Sequence, residues 1–146
     1  MADGITIVRV FDAPRERVWT EWTEPEAFAD WFGGAEAEIP LSTVSMDVRP
    51  GGSWRATMYA DPGRREIRWI GEYLEVVAPE RLVFTVTDRP EDDARELITV
   101  VFSDLGDGRT EMHFRQTGHM SAEQYERTGQ GWSKFFDRID ARLFSS

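Results

Sequence analysis

The sequence contains no cysteine, no asparagine and a single lysine, Lys134. Without cysteine there are no disulfides, no thiolate nucleophile and no cysteine-ligated zinc or iron–sulfur centre. Without asparagine there is no N-glycosylation acceptor. No apolar run reaches the length of a membrane span or a signal sequence, so a cytoplasmic protein is expected. Positive charge is also scarce, with 17 Lys and Arg against 27 Asp and Glu and a net charge of -10. The acidic residues are spread over helices and loops, which repels polyphosphates, so nucleic acid and anionic membranes are disfavoured as partners. The near-exclusive use of arginine as the basic residue is read as the compositional bias of a GC-rich bacterial genome.

Catalytic and metal signatures are equally sparse. The two histidines, His113 and His119, have neither HExxH spacing nor a carboxylate cluster beside them, and no metal is expected. No G-x-S-x-G elbow supports nucleophilic hydrolysis. Gly33-Gly34 and Gly51-Gly52 belong to turns and not to a phosphate loop, so no cofactor is expected.

The 146 residues are 40% hydrophobic and 12% aromatic, with six tryptophans, which suits one compact domain over residues 1–146 with a substantial core. Ile5 to Phe11 is rich in β-branched residues and predicts a strand beside the terminal helix or at a sheet edge. Asp12 and Pro14 start a short helix with Val18, Trp19 and Trp22 on its apolar stripe and Arg15, Glu16 and Glu21 opposite. A second short helix follows from Pro25, with Phe28, Trp31 and Phe32 apolar and Gly33-Gly34 ending it.

From Ser42 the period becomes two. Val44, Met46 and Val48 turn through Pro50-Gly51-Gly52 into Trp54, Ala56 and Met58. Further strands are expected over Ile67 to Val77, Leu82 to Thr87, Leu97 to Phe102 and from Met112 to Gln116, with tight turns between them, which gives an antiparallel meander. The last segment, Ser121 to Phe144, opens with Ser121 and Gln124 at capping-box spacing and carries Tyr125, Trp132, Phe136, Ile139 and Leu143 on one stripe. Gly129 and Gly131 inside it each cost roughly 1 kcal/mol relative to Ala, so a close approach to the sheet, a bend, or a helix regular only from Trp132 is expected. The fold class is α+β: a curved antiparallel sheet of about six to seven strands gripping one long helix, which leaves a cavity the helix does not fill.

The segments VFDAPRERVW, WFGG, VRPGGSW, GEYLEVVAPERLVFTVT, GRTEMHFRQTGH and GWSKFFDRIDARL occur in the order of the SRPBCC superfamily. Within it they are most similar to the family named after the activator of heat-shock-protein ATPase. The resemblance covers nearly the whole chain and implies the START-like helix-grip fold with a hydrophobic cavity between sheet and C-terminal helix. Members of the superfamily include lipid carriers, polyketide cyclases and hormone receptors, so the resemblance implies a cavity more firmly than a reaction.

Strand phase places Leu82, Phe84 and Val86, then Ile98, Val100 and Phe102, then Met112, Phe114 and the polar Gln116 on the cavity face, and Thr85, Thr87, Thr99, His113 and Arg115 outside. In the strand from Ile67 both phases are open. Either Trp69, Gly71 and Tyr73 face inward, or Ile70, Leu74 and Val76 do and bring Glu72 with them. An inward Glu72 would have a raised pKa suited to acid–base work, against an exposed or salt-bridged Glu. His119 is a candidate rim residue for gating or proton transfer, against a solvated loop histidine.

The candidate ligand contacts are Trp31, Phe32, Trp54, Met58, Trp69 and Tyr73, the strand residues Phe84, Val100, Phe102, Met112, Phe114 and Gln116, and Trp132 and Phe136 of the helix, each of which also reads as ordinary core. Binding of a small hydrophobic or aromatic molecule leads, with Gln116, Tyr73 or Arg55 orienting it. A cyclase-like or hydrolase-like enzyme with an inward acid–base group, and a protein-interaction module acting on a chaperone ATPase, are the alternatives. A homodimer through an edge strand or the Trp-bearing helices is also open.

Overall fold

The computed structural model describes residues 4–34 and 37–144. The chain begins with strand β1 (Gly4–Phe11) and helices α1 (Arg15–Thr23) and α2 (Pro25–Trp31). A two-residue strand β2 (Ala37–Glu38), a 3-10 turn (Leu41–Thr43) and a second two-residue strand β3 (Ser45–Met46) lead into β4 (Ser53–Ala60). Four long strands follow, β5 (Arg65–Val77), β6 (Arg81–Val86), β7 (Glu96–Asp104) and β8 (Thr110–Thr117), and then helix α3 (Ala122–Phe144). The sheet order is β1-β8-β7-β6-β5-β4-β2, with β3 also on β4 and every pairing antiparallel.

The period-two reading locates the inner face of the late strands. Val100 lies between Leu82 and Phe114 in register, Ile98 between Phe84 and Gln116, and Phe102 pairs with Met112. All of them are buried, while His113 is exposed. In β5 the two candidate phases prove to belong to different halves of the strand. Trp69 and Tyr73 occupy the inner face up to a bulge between Tyr73 and Glu75, after which Val76 lies opposite the buried Leu82. One extra residue inverts the phase. Leu74 and Glu72 are therefore exposed.

The capping box forms as expected. The Ser121 N–H donates to Gln124 Oε1 at 2.8 Å, and the Gln124 N–H donates to Ser121 Oγ at 3.1 Å. From this cap α3 runs without interruption to Phe144, so the helix is regular well before Trp132. A Cβ on Gly129 would meet the Ile5 side chain at 3.5 Å, ordinary contact, and one on Gly131 would meet nothing within 4 Å.

Glu21 departs from its expected polar face. It is 1% exposed, because α1 and α2 both abut the last turns of α3 and close over it. There Arg142 Nε donates to Glu21 Oε1 at 2.6 Å, and the Trp31 indole N–H donates to the Glu21 carbonyl at 2.6 Å. Arg142 also pairs with Asp30, as does Arg138. A buried carboxylate is tolerated here because a charged, hydrogen-bonded partner meets it. Partial burial opposes ionisation of Asp30, but hydrogen bonding and the positive charges of Arg142 and Arg138 outweigh it and hold the carboxyl below its ordinary value of 3.8.

Two outcomes follow. Gly131→Ala, which gains helix propensity without a clash, is expected to stabilise by roughly 0.5–1 kcal/mol and raise Tm by about 2 °C in a thermal melt. Because the folded-state pKa of Asp30 is depressed, its contribution is complete above 3.8 and is lost as pH falls through the lower folded value. The Tm difference between the wild type and Asp30→Asn is therefore expected to be largest near neutrality and to vanish in strong acid.

Candidate functional site

Aromatic side chains fill the space between the sheet and α3. Trp22 of α1 is the hub: its ring centroid lies 4.8 Å from Trp31, 5.9 Å from Phe136 and 6.3 Å from each of Trp132, Phe114 and Phe84. Trp132 of α3 packs 4.8 Å from Phe114, and Phe28 stacks on Phe32 at 4.6 Å. These tilted and edge-on contacts suit ring quadrupoles and exclude water.

What remains of the expected cavity is an internal void of about 10 Å³, lined by Trp22, Phe28, Met46, Trp54, Tyr73, Leu82 and Phe84. That is room for about one water molecule. Of its lining residues only Trp22, Trp54 and Tyr73 carry a side-chain donor group. The Trp22 indole N–H is buried and has no hydrogen-bond partner. Burial, and secondarily the negative charge of Asp47, push the Tyr73 hydroxyl well above the usual phenol range, so it stays protonated. No charged side chain lines the void.

The Trp69 indole N–H is likewise buried without a partner, whereas those of Trp54 and Trp132 are satisfied. Trp54 Nε1 donates to the Thr85 carbonyl at 3.0 Å by passing over Gly71, where a Cβ would stand 1.8 Å from that carbonyl oxygen and 2.2 Å from the indole nitrogen. Trp132 Nε1 donates to Gln116 Oε1 at 2.8 Å, and Thr110, the other polar residue on the inner face of β8, donates through Oγ1 to the Ala13 carbonyl at 2.7 Å. Gln116 Nε2 in turn donates to Glu96 Oε1 at 3.1 Å. The same carboxylate accepts from the Tyr125 hydroxyl at 2.9 Å and the His119 backbone N–H at 2.8 Å. Glu96 thereby ties β7, β8 and the first turn of α3 together at the end of the core opposite Glu21.

Of the residues singled out from the sequence, Trp54, Tyr73 and Phe84 border the void. Trp31, Val100, Phe102, Met112, Phe114 and Phe136 are sealed in the core at 1% exposure or less. Phe32, Met58, Gln116 and Trp132 are buried, Trp69 is half-buried and Arg55 is exposed. Glu72 lies outside, where its N–H donates to Thr85 Oγ1. His119 is exposed and engages Glu96 only through its main chain. Leu82, placed on the cavity face by strand phase, borders the void as well; Trp22, Phe28 and Met46 complete it, and Glu96 the polar network, none of which the sequence reading assigned to a site. Among the described residues no group of three or more His, Asp or Glu is placed to hold a metal ion.

A second depression, about 480 Å³ and open to solvent, lies between β1 and the N-terminal half of α3, bordered by residues 4–7 and by Ala122, Tyr125, Glu126, Gly129, Gln130 and Ser133.

Over residues 12–143 the chain matches the family described as "Activator of Hsp90 ATPase homolog 1-like protein". The protein belongs to this family. Among solved structures it is similar to protein CV1439 of Chromobacterium violaceum, with 26% identity over 95% of both chains and a TM-score of 0.84. A protein from Arthrobacter aurescens gives 25% identity, a TM-score of 0.82 and coverage of 99% of this chain and 88% of the other. The AHSA1 protein of Silicibacter pomeroyi shares the fold at 17% identity, with a TM-score of 0.83 over 96% of both chains. Among curated proteins none matches the chain. The family and its helix-grip fold are thus established, and among the described residues no helix is long and apolar enough to cross a membrane.

Gly71→Ala is expected to break the Trp54–Thr85 hydrogen bond and destabilise by about 2 kcal/mol or more, read as a lowered urea midpoint with a red-shifted Trp emission.

Proposed function

We propose that the protein binds a small, neutral, largely apolar molecule between its sheet and α3, with one oxygen acceptor of the ligand on the Trp22 indole N–H. The observation that carries this reading is the Trp22 side chain, which borders the void and whose fully buried indole N–H has no partner. Leaving such a donor without an acceptor costs about 1–3 kcal/mol, which a ligand oxygen offsets. Tyr73 lines the same void and keeps its hydroxyl proton.

A ligand larger than water has to displace part of that wall. Met46 is the residue suited to yield, being half-buried, unbranched and carried on a two-residue strand. Neutrality follows from the lining. With no cation there, a carboxylate would enter the core unpaired, at far greater cost than a carbonyl or hydroxyl. The same lining favours binding over turnover, since Glu72 and His119 are outside and Tyr73 is held protonated. The groove beside β1 is open to solvent and would leave a small molecule largely wet, whereas small-ligand sites bury most of their ligand.

The test is thermal shift and Trp fluorescence against flavonoids, sterols and aromatic ketones, with fatty acids in parallel. Neutral compounds are expected to raise Tm and fatty acids to leave it unchanged. Trp22→Phe is expected to weaken binding about tenfold, the loss of one hydrogen bond, and Met46→Ala to retain it. Equal binding of fatty acids would overturn the neutral-ligand reading. Silence across the panel would turn attention to protein partners, a chaperone ATPase first.

A further inference from the structure

β1 is the outer strand of the sheet and pairs only with β8. Along Gly4–Ile7 its other edge has main-chain N–H and C=O groups with no strand partner, and α3 runs beside it across the open 480 Å³ groove. An unpaired edge of this kind is a template for another chain. Edge strands are commonly blocked by a covering element or by charge. Here α3 meets β1 at the floor of the groove, where a Cβ on Gly129 would touch Ile5, and the small Ala122 and Gly129 leave the groove above that contact open. Beyond Ile7 the groove closes, where Arg9 reaches across to Asp137 at 2.6 Å and to the Ser133 carbonyl at 3.2 Å.

We infer that this groove takes an extended, basic peptide segment, which adds as a short strand to β1. The free edge supplies alternating donors and acceptors that only an extended main chain matches along its length. The four residues from Gly4 to Ile7 set a reach of roughly 13 Å at the strand rise per residue. Glu126 on the helix wall makes no ion pair among the described residues, and with the net charge of -10 it selects a basic segment. A second copy, itself carrying a net charge of -10, is disfavoured by like-charge repulsion. This site is separate from the void beneath Trp22 and shares no lining residue with it.

The experiment is fluorescence anisotropy of the full chain with a labelled, acetylated heptapeptide alternating valine with lysine. Saturable binding is expected, weakened at least tenfold when alternate peptide amides are N-methylated and at least tenfold in Gly129→Leu, which fills the groove. Exchange of lysine for glutamate in the peptide is expected to abolish binding, and Glu126→Gln to weaken it several-fold with a shallower salt dependence. Glu126→Lys, a surface change that does not touch the core, keeps the test valid if Gly129→Leu unfolds, and is expected to abolish binding. No binding, or binding indifferent to N-methylation, would overturn the inference. So would a dimer in light scattering that Gly129→Leu dissociates, because the groove would then hold a second copy.

Discussion

The structure depends on one constraint: a single helix has to close a sheet of six long strands and still leave no water between them. Aliphatic side chains from α3 alone do not span that distance. The gap is closed by rings contributed from three directions, Trp22 and Trp31 from the short helices, Phe84 and Phe114 from the sheet, and Trp132 and Phe136 from α3, all within 6.5 Å of a neighbouring centroid. Rings bury large areas at small cost in rotamer entropy, and their shape fixes the separation of the layers they join. α1 and α2, too short to persist alone, are held because their indoles are part of that filling.

Apolar filling gives no direction, and α3 would slide along it without polar ends. The Arg142 pair with Glu21 fixes the last turn against α1 and α2, and the Glu96 carboxylate fixes the first turn through Tyr125. Between them Trp132 is held in rotation by Gln116, itself held by Glu96. Glu21, Gln116 and Glu96 each meet hydrogen-bonding partners on other elements, so each acts as a register mark as well as a contact. The Trp22 indole departs from this pattern, as do the Trp69 indole and Arg15 Nε: it sits at the centre of the ring cluster, and its N–H has no partner.

The sheet could be read from the sequence because its inner face repeats every second residue over long strands, as in Ile98, Val100 and Phe102. The same rule left β5 ambiguous for a physical reason. Both phases are used, one on each side of the bulge after Tyr73, and a one-residue insertion carries no compositional mark. Glu21 was misplaced because helical periodicity describes one neighbour, whereas α1 packs on β7 and also on the α2–α3 pair, so that a residue off the apolar stripe is buried from the other side. Glu96 lay at the start of a strand with nothing local to distinguish it. Its role arises from Gln116, Tyr125 and His119, which are 20 to 29 residues away. Gln116 was legible as an exception, a polar side chain following Met112 and Phe114 on a buried phase, although its partners were not.

The residual void follows from the choice of rings as filler. Rings interlock only at a few angles, and around Trp22 the interplanar angles range from 21° to 64°. Filling with rigid units at such mixed angles leaves a small gap where no further ring fits, and an aliphatic neighbour closes it only in part. Here Met46 and Leu82 border that gap. Leu82 is fixed by strand pairing on both sides, to Val76 and to Val100. Met46 is held by a two-residue strand at the margin of the sheet. The easiest wall to move therefore adjoins the Trp22 ring, whose donor is unpaired. A core closed in this way is tight when empty and has one direction in which it yields with little disturbance to the polar contacts that fix the helix.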